Sequence, residues 1–112
     1  MKTSVGIDIV DVKDFERRMK RTPSLAARIF TDYEMEYCSR KGIEHLASRF
    51  AAKEAFAKAS GMKNLAWKDV EIRNSPTGKP LLNLKRKKNF RSADLSISNI
   101  RKLSVAVVVL TY

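Results

Sequence analysis

The chain has 112 residues, 44% hydrophobic and 31% charged, with 23 Lys and Arg against 12 Asp and Glu. That length predicts one domain, residues 1–112, whose core is small enough to gain from oligomerisation. A formal net charge of +11 excludes an acidic surface and directs attention to anionic partners: nucleic acid, phosphorylated ligands or an acidic protein.

No apolar run is long enough to cross a bilayer, and MKTSVGIDIV has too short an apolar stretch for a secretory signal. A cytoplasmic protein with no membrane contact is therefore expected. Cys38 stands alone and can form no intrachain disulfide, in keeping with a reducing compartment. The lone His45 has no second His or Cys with which to build a metal site.

SVGIDIV predicts a short strand, with Gly6, Asp8 and Val10 on one face and Val5, Ile7 and Ile9 on the other. Asp8 is thus a carboxylate projected from the middle of an apolar segment. DVKDFERRMKR continues as a helix capped by Asp11, with Val12, Phe15 and Met19 as its apolar stripe. Lys13, Arg17, Lys20 and Arg21 fall together on the opposite arc, bordered by Asp14, at ~100° per residue. This helix shows a basic face to its surroundings.

Thr22-Pro23 opens a short helix with proline at its first position. TDYE at 31–34 carries the capping-box pattern of Thr31 and Glu34, for a helix that runs to Lys41 and stops at Gly42. ASRFAAKEAFAKASG, 47–61, predicts a further helix closed by a left-handed Gly61. Beyond it the period changes. VEIR, the turn SPTGKP and LLNL form a hairpin over 69–84, and LSIS and LSVAVVVL are two more strands around NIRK. KRKKNFR, 85–91, places five cations in seven residues before them. A strand, several helices and then strands predict an α+β domain, helices packed on an antiparallel sheet.

The 47–61 helix carries the chemistry. Glu54 and Lys58 share a face, with the small Ala47 and Ala51 one turn back, leaving room for a ligand. Arg49 and Lys53 form a second i, i+4 pair on a neighbouring arc. A solvated Glu–Lys pair needs no ligand to explain it. Asp8 alters that balance, because two carboxylates are what Mg²⁺ commonly takes from a protein, phosphates and waters filling the octahedron. Mn²⁺ accepts the same hard oxygens. The residues therefore lead to a metal–phosphate site, its reaction left open.

GIDIVDV, IFTDYEMEY, SRFAAKEAFAKASG and DVEIRNSPTGKPLL resemble, in order and spacing, the holo-acyl-carrier-protein synthases, the small bacterial phosphopantetheinyl transferases. The resemblance spans nearly the whole chain. It implies the 4′-phosphopantetheinyl transferase fold, assembled as a homotrimer through its sheets with coenzyme A in clefts between subunits. It also implies a reaction: transfer of 4′-phosphopantetheine from coenzyme A to a serine of apo acyl carrier protein, in support of fatty acid biosynthesis. Adenosine 3′,5′-bisphosphate would leave.

On that resemblance Asp8 and Glu54 would hold Mg²⁺ against the pyrophosphate, and Lys58 would neutralise the bridging or leaving oxygen. Either Glu54 or a water on the metal would take the serine proton. Arg49, Lys53, Lys58, Gly78, Lys79, Pro80, Ser98 and Asn99 would meet coenzyme A, and Lys13, Arg17, Lys20 and Arg21 the acidic carrier.

Two departures stand out. Relatives read near H-V-S-I-S-H or H-V-S-I-T-H where this chain has DLSISN, so Asp94 and Asn99 occupy the two His positions. Asn99 donates a hydrogen bond but carries no charge, which makes Arg101 or Lys102 the expected substitute. The first-helix position often basic in relatives is Asp14 here. The competing reading is a non-catalytic basic module that binds nucleic acid through KRKKNFR, or binds coenzyme A or a carrier without transfer. The chain has no RNP-like aromatic pattern, helix-turn-helix signature or zinc ligand set, so nucleic acid is the less expected partner.

Overall fold

A computed structural model of the chain describes residues 2–86 and 90–112. The order is β1 (Thr3–Asp11), α1 (Val12–Arg21), α2 (Ser24–Ile29), α3 (Asp32–Cys38), α4 (Ile43–Ser60), a 3-10 turn (Trp67–Asp69), β2 (Val70–Asn74), β3 (Pro80–Leu84), β4 (Ser92–Asn99) and β5 (Leu103–Thr111). The α+β architecture and antiparallel pairing agree with the sequence. The strands divide into two sheets, β1-β5-β4 and the hairpin β2-β3. No helix among the described residues is long and apolar enough to cross a membrane.

Local signals placed the helix ends. The Asp11 side chain accepts from the Asp14 amide at 2.9 Å, which starts α1 where β1 stops. Thr31 and Glu34 form the reciprocal capping box of α3. Gly61, at φ 62°, ends α4 in the left-handed region that glycine enters without a Cβ penalty. Three helix boundaries differ from expectation. Pro23 is the cap of α2 rather than its first residue, α3 ends at Cys38, with 39–41 in a turn, and α4 starts at Ile43, four residues before Ala47.

α4 is the central element. Its buried residues run around most of the cylinder, Ala47, Ser48, Arg49, Ala51, Ala52, Lys53, Ala55, Phe56 and Ala59, because the large sheet flanks one side and β2, α1 and α3 the other. The alanines are not there to clear space for a ligand, as the sequence suggested. They let the helix backbone approach the sheet. A Cβ on Gly6 of β1 would strike the Ala55 carbonyl and come within 2.7 Å of the Ala59 amide nitrogen. Ser104 at the far end of β5 donates to the Glu44 carbonyl at 3.3 Å, fixing the other end of the helix.

The reverse face of the large sheet is different. Val5, Ile7 and Ile9 are 62%, 58% and 60% exposed, and they pair across the strands with Val109, Val107 and Val105. Six β-branched side chains thus form one apolar strip facing outward, a patch of the kind that marks an interface.

Candidate active site

The inner face of β1 carries Asp8 between the buried Gly6 and Val10, and the first turns of α1 and the second half of α4 close around it. A cleft of about 670 Å³ results. Asp8, Asp11, Asp14, Arg18, Glu54 and Lys58 give it a polar part; Phe15, Leu25, Ile29, Phe50 and Trp67 give it an apolar one. The strand and the helix, 46 residues apart in sequence, bring Asp8 and Glu54 to the same cavity.

Glu54 feels that arrangement. Burial pushes its pKa above the usual carboxylate range, and the Asp8 charge pushes it further; Lys58 and Arg18 pull it back. Lys58 leans across to β1, where Nζ donates to the Ile7 carbonyl at 3.0 Å and to Asp8 Oδ1 at 3.1 Å. No cluster of three or more metal-ligating His, Cys, Asp or Glu side chains occurs among the described residues. Two hard carboxylates in one cleft are the donor set that Mg²⁺ takes when phosphates complete its shell.

Arg18 and Trp67 belong to this cleft although the sequence reading passed over them. Arg18 lies one residue from the basic arc of α1, at the edge of the apolar stripe, and its guanidinium sits 6.0 Å from the Phe50 ring centroid. That edge position was the available signal. Trp67 had none, since its place depends on the loop after α4.

A second cleft, about 190 Å³, opens on the other flank of α4, lined by Tyr37, His45, Arg49, Asn74, Gly78, Pro80, Ile97 and Asn99. Arg49, Gly78, Pro80 and Asn99 were singled out from the sequence, and the fold brings these four together. Arg49 is only 4% exposed; it donates to Asn74 Oδ1 at 2.8 Å and stacks on Tyr37 at 5.0 Å. Its buried Nε has no hydrogen-bond partner among the described residues. His45, beside it, has its pKa lowered by burial and then by the Arg49 charge. Arg101 lines an adjoining depression with Glu44, His45, Asn99 and Ile100. Lys79 and Ser98 are exposed and lie outside both sets of lining residues.

Lys53 must be reassigned. It is 1% exposed, and its ammonium meets Glu34 Oε1 at 2.9 Å, the Trp67 carbonyl at 3.0 Å and the Val70 carbonyl at 2.5 Å. An ammonium has three protons to give, and all are engaged inside the protein. It is a core cation whose ammonium is held by the protein itself.

Lys13, Arg17, Lys20 and Arg21 are all exposed on α1, with Arg17 paired to Asp14. Of the KRKKNFR cluster, Lys87, Lys88 and Asn89 lie outside the described residues.

A sequence model described as the 4′-phosphopantetheinyl transferase superfamily matches residues 4–108. The chain belongs to that family. It is 45% identical to the holo-[acyl-carrier-protein] synthase of Geobacter metallireducens over 118 aligned positions, covering 94% of each chain. It is 37% identical to that of Syntrophus aciditrophicus, over 98% of this chain and 96% of the relative. Among solved structures, the Helicobacter pylori holo-[acyl-carrier-protein] synthase in complex with coenzyme A superposes with a TM-score of 0.87 at 34% identity. That match covers 96% of this chain and 99% of the other. A Bacillus anthracis holo-(acyl-carrier-protein) synthase in complex with CoA (3′,5′-ADP) gives 0.83 at 36% identity, over 96% and 94%.

Proposed function

We propose that this chain transfers the 4′-phosphopantetheine group of coenzyme A to a serine hydroxyl of apo acyl carrier protein, releasing adenosine 3′,5′-bisphosphate. The observation that carries the reading is the meeting of Asp8, Glu54 and Lys58 in one cleft of a chain from this family.

Asp8 and Glu54 would hold Mg²⁺, or Mn²⁺ in its place, and both the hard donor set and the raised pKa of Glu54 fit a cation there. Bound, the ion would neutralise phosphate charge as a Lewis acid. Lys58 supplies an ammonium for the oxygen on which charge develops as the bond to adenosine bisphosphate breaks. Either Glu54 or a water in the cleft would take the serine proton as the new O–P bond forms. Phosphoryl transfer of this kind rests on positioning and charge neutralisation.

The second cleft fits the nucleotide end of coenzyme A: the Arg49 guanidinium lines it beside the Gly78–Pro80 turn and Asn99. Arg49 and Lys58 are nine residues apart, about 180° around a helix at ~100° per residue, so the two clefts share no lining residue. A coenzyme A that fills both is best explained by two chains. A homotrimer joined through the apolar strip of β1 and β5 would bring the clefts of neighbours together. The exposed Lys13, Arg17, Lys20 and Arg21 would steer the acidic carrier toward the catalytic cleft, an attraction weakened by salt.

The deciding experiment incubates the protein with apo acyl carrier protein, coenzyme A and Mg²⁺ and weighs the carrier by mass spectrometry. A gain of one phosphopantetheine is expected, and Asp8→Ala or Glu54→Gln should abolish it while circular dichroism stays unchanged. A folded protein that adds nothing to the carrier would be a binder without transfer, and the reading would fall.

A further inference from the structure

Lys58 is an exposed cation of the catalytic cleft, with 56% of its side chain open to solvent, yet it is not idle. Its partner among the described ion pairs is Asp8, across the helix–strand gap, rather than Glu54 one turn earlier on its own helix. The Ile7 carbonyl takes a second of its protons at 3.0 Å. The ammonium therefore stands 3.1 Å from a carboxylate oxygen that a divalent cation would need.

We infer that Lys58 orders the loading of this site, a role beyond charge neutralisation during transfer. In the metal-free protein it satisfies Asp8, so a divalent ion arriving alone has to displace it and leave an ammonium without a counter-charge beside a new cation. An ion arriving with a pyrophosphate gives the lysine a new partner at once. Metal and coenzyme A then bind with positive coupling, and each raises the affinity for the other by the same factor. The inference rests on the reading that Asp8 and Glu54 hold the metal.

Binding measurements test it without turnover. Mn²⁺ is titrated calorimetrically into the full chain, first alone and then with coenzyme A at saturation, for wild type and Lys58→Met. Lys58→Gln serves as a second variant, and circular dichroism checks all folds. Removing one unit charge at this distance from a solvent-screened site should tighten binding of Mn²⁺ alone by about fivefold. The tightening produced by coenzyme A should shrink by at least that factor. Arg18→Met removes a cation from the same cleft that does not touch Asp8, and its effect on Mn²⁺ alone should be clearly smaller.

The inference is overturned if both Lys58 variants bind lone Mn²⁺ no tighter than wild type, if coupling to coenzyme A is unchanged, or if Arg18→Met gains as much. Should Mn²⁺ fail to bind wild type even with coenzyme A, the metal assignment itself falls and the inference with it. Tight Mn²⁺ binding with coenzyme A, and equal binding of lone Mn²⁺ to wild type and variants, removes the ordering role alone.

Discussion

Nζ of Lys53 lies 2.9 Å from Oε1 of Glu34, and neither side chain reaches water, at 1% and 0% exposure. The pair joins α4 to α3, and through the Ile72 amide, which donates to Glu34 Oε2 at 2.8 Å, it joins both to β2. Glu34 also caps its own helix, accepting from the Thr31 amide at 2.9 Å. One carboxylate thereby ties α3 and β2 to the central helix. Desolvation lowers the Lys53 pKa, and the Glu34 charge opposes that shift.

Breaking the pair from one side leaves an uncompensated buried charge, at a cost of roughly 3–5 kcal/mol. Lys53→Met should therefore lower stability in urea unfolding by about that much while the KM for coenzyme A of the folded fraction stays near wild type. A stable variant with a weakened KM for coenzyme A would restore Lys53 to the ligand set.

Gly6 sits where any side chain would meet helix backbone, the Ala55 carbonyl and the Ala59 amide. Backbone cannot swing aside as a flexible side chain can, so Gly6→Ala must push β1 from α4. Overpacking of this kind costs about 1–3 kcal/mol. Asp8 follows two residues later on the same face, so the displacement also moves a carboxylate relative to Glu54. Thermal unfolding should show the loss, and turnover per folded molecule should fall as well. An alanine variant as stable and active as wild type would show that the strand–helix gap is wider than described.

The contrast between Gly6 and Lys53 shows what the sequence could and could not disclose. Helix ends were legible because the groups involved are neighbours: Asp11 with Asp14, Thr31 with Glu34, Gly61 in its own dihedral angles. That Asp8, Glu54 and Lys58 meet in one cleft was legible from chemistry and kinship; that Lys58 pairs with Asp8 and not with Glu54 was not. Which way Lys53 points was not, because its partners come from position 34 and from the carbonyls of Trp67 and Val70, far along the chain. The alanines misled for a related reason. A stripe of small residues looks the same whether it admits a ligand or a strand, and only the position of Gly6 decides.

Glu54 gives a pH signature. Its folded-state pKa is raised, so in the metal-free protein it contributes stability that is present below the ordinary glutamate value and lost as pH rises through the raised one. Glu54→Gln removes that penalty. In the absence of divalent ions the variant should unfold at a higher temperature than wild type at pH 8, with the difference vanishing toward pH 4. Because a protonated Glu54 cannot ligate a cation, wild-type activity should fall as pH drops through the raised pKa, and higher Mg²⁺ should move that limb to lower pH. A wild type more stable than Glu54→Gln at pH 8 without metal would show that burial and the Asp8 charge do not raise the Glu54 pKa.

The outward strip of Val5, Ile7 and Ile9 with Val105, Val107 and Val109 is where the proposed homotrimer would join. If copies join through it, the Asp8–Glu54–Lys58 cleft of one chain faces the Arg49–Asn99 cleft of its neighbour. Sedimentation equilibrium should then give three times the 12.7 kDa chain mass, and Ile7→Asp with Val107→Asp should give monomers that retain their helix content but lose transfer. Mixing provides the sharper measurement. Glu54→Gln and Arg49→Ala each damage a different cleft, so each alone should be inactive or nearly so. Trimers re-formed from both variants would contain some interfaces with two intact halves, and transfer should return in part. Failure to recover any activity from well-mixed trimers would mean that each chain binds coenzyme A by itself, around α4 rather than across a subunit boundary.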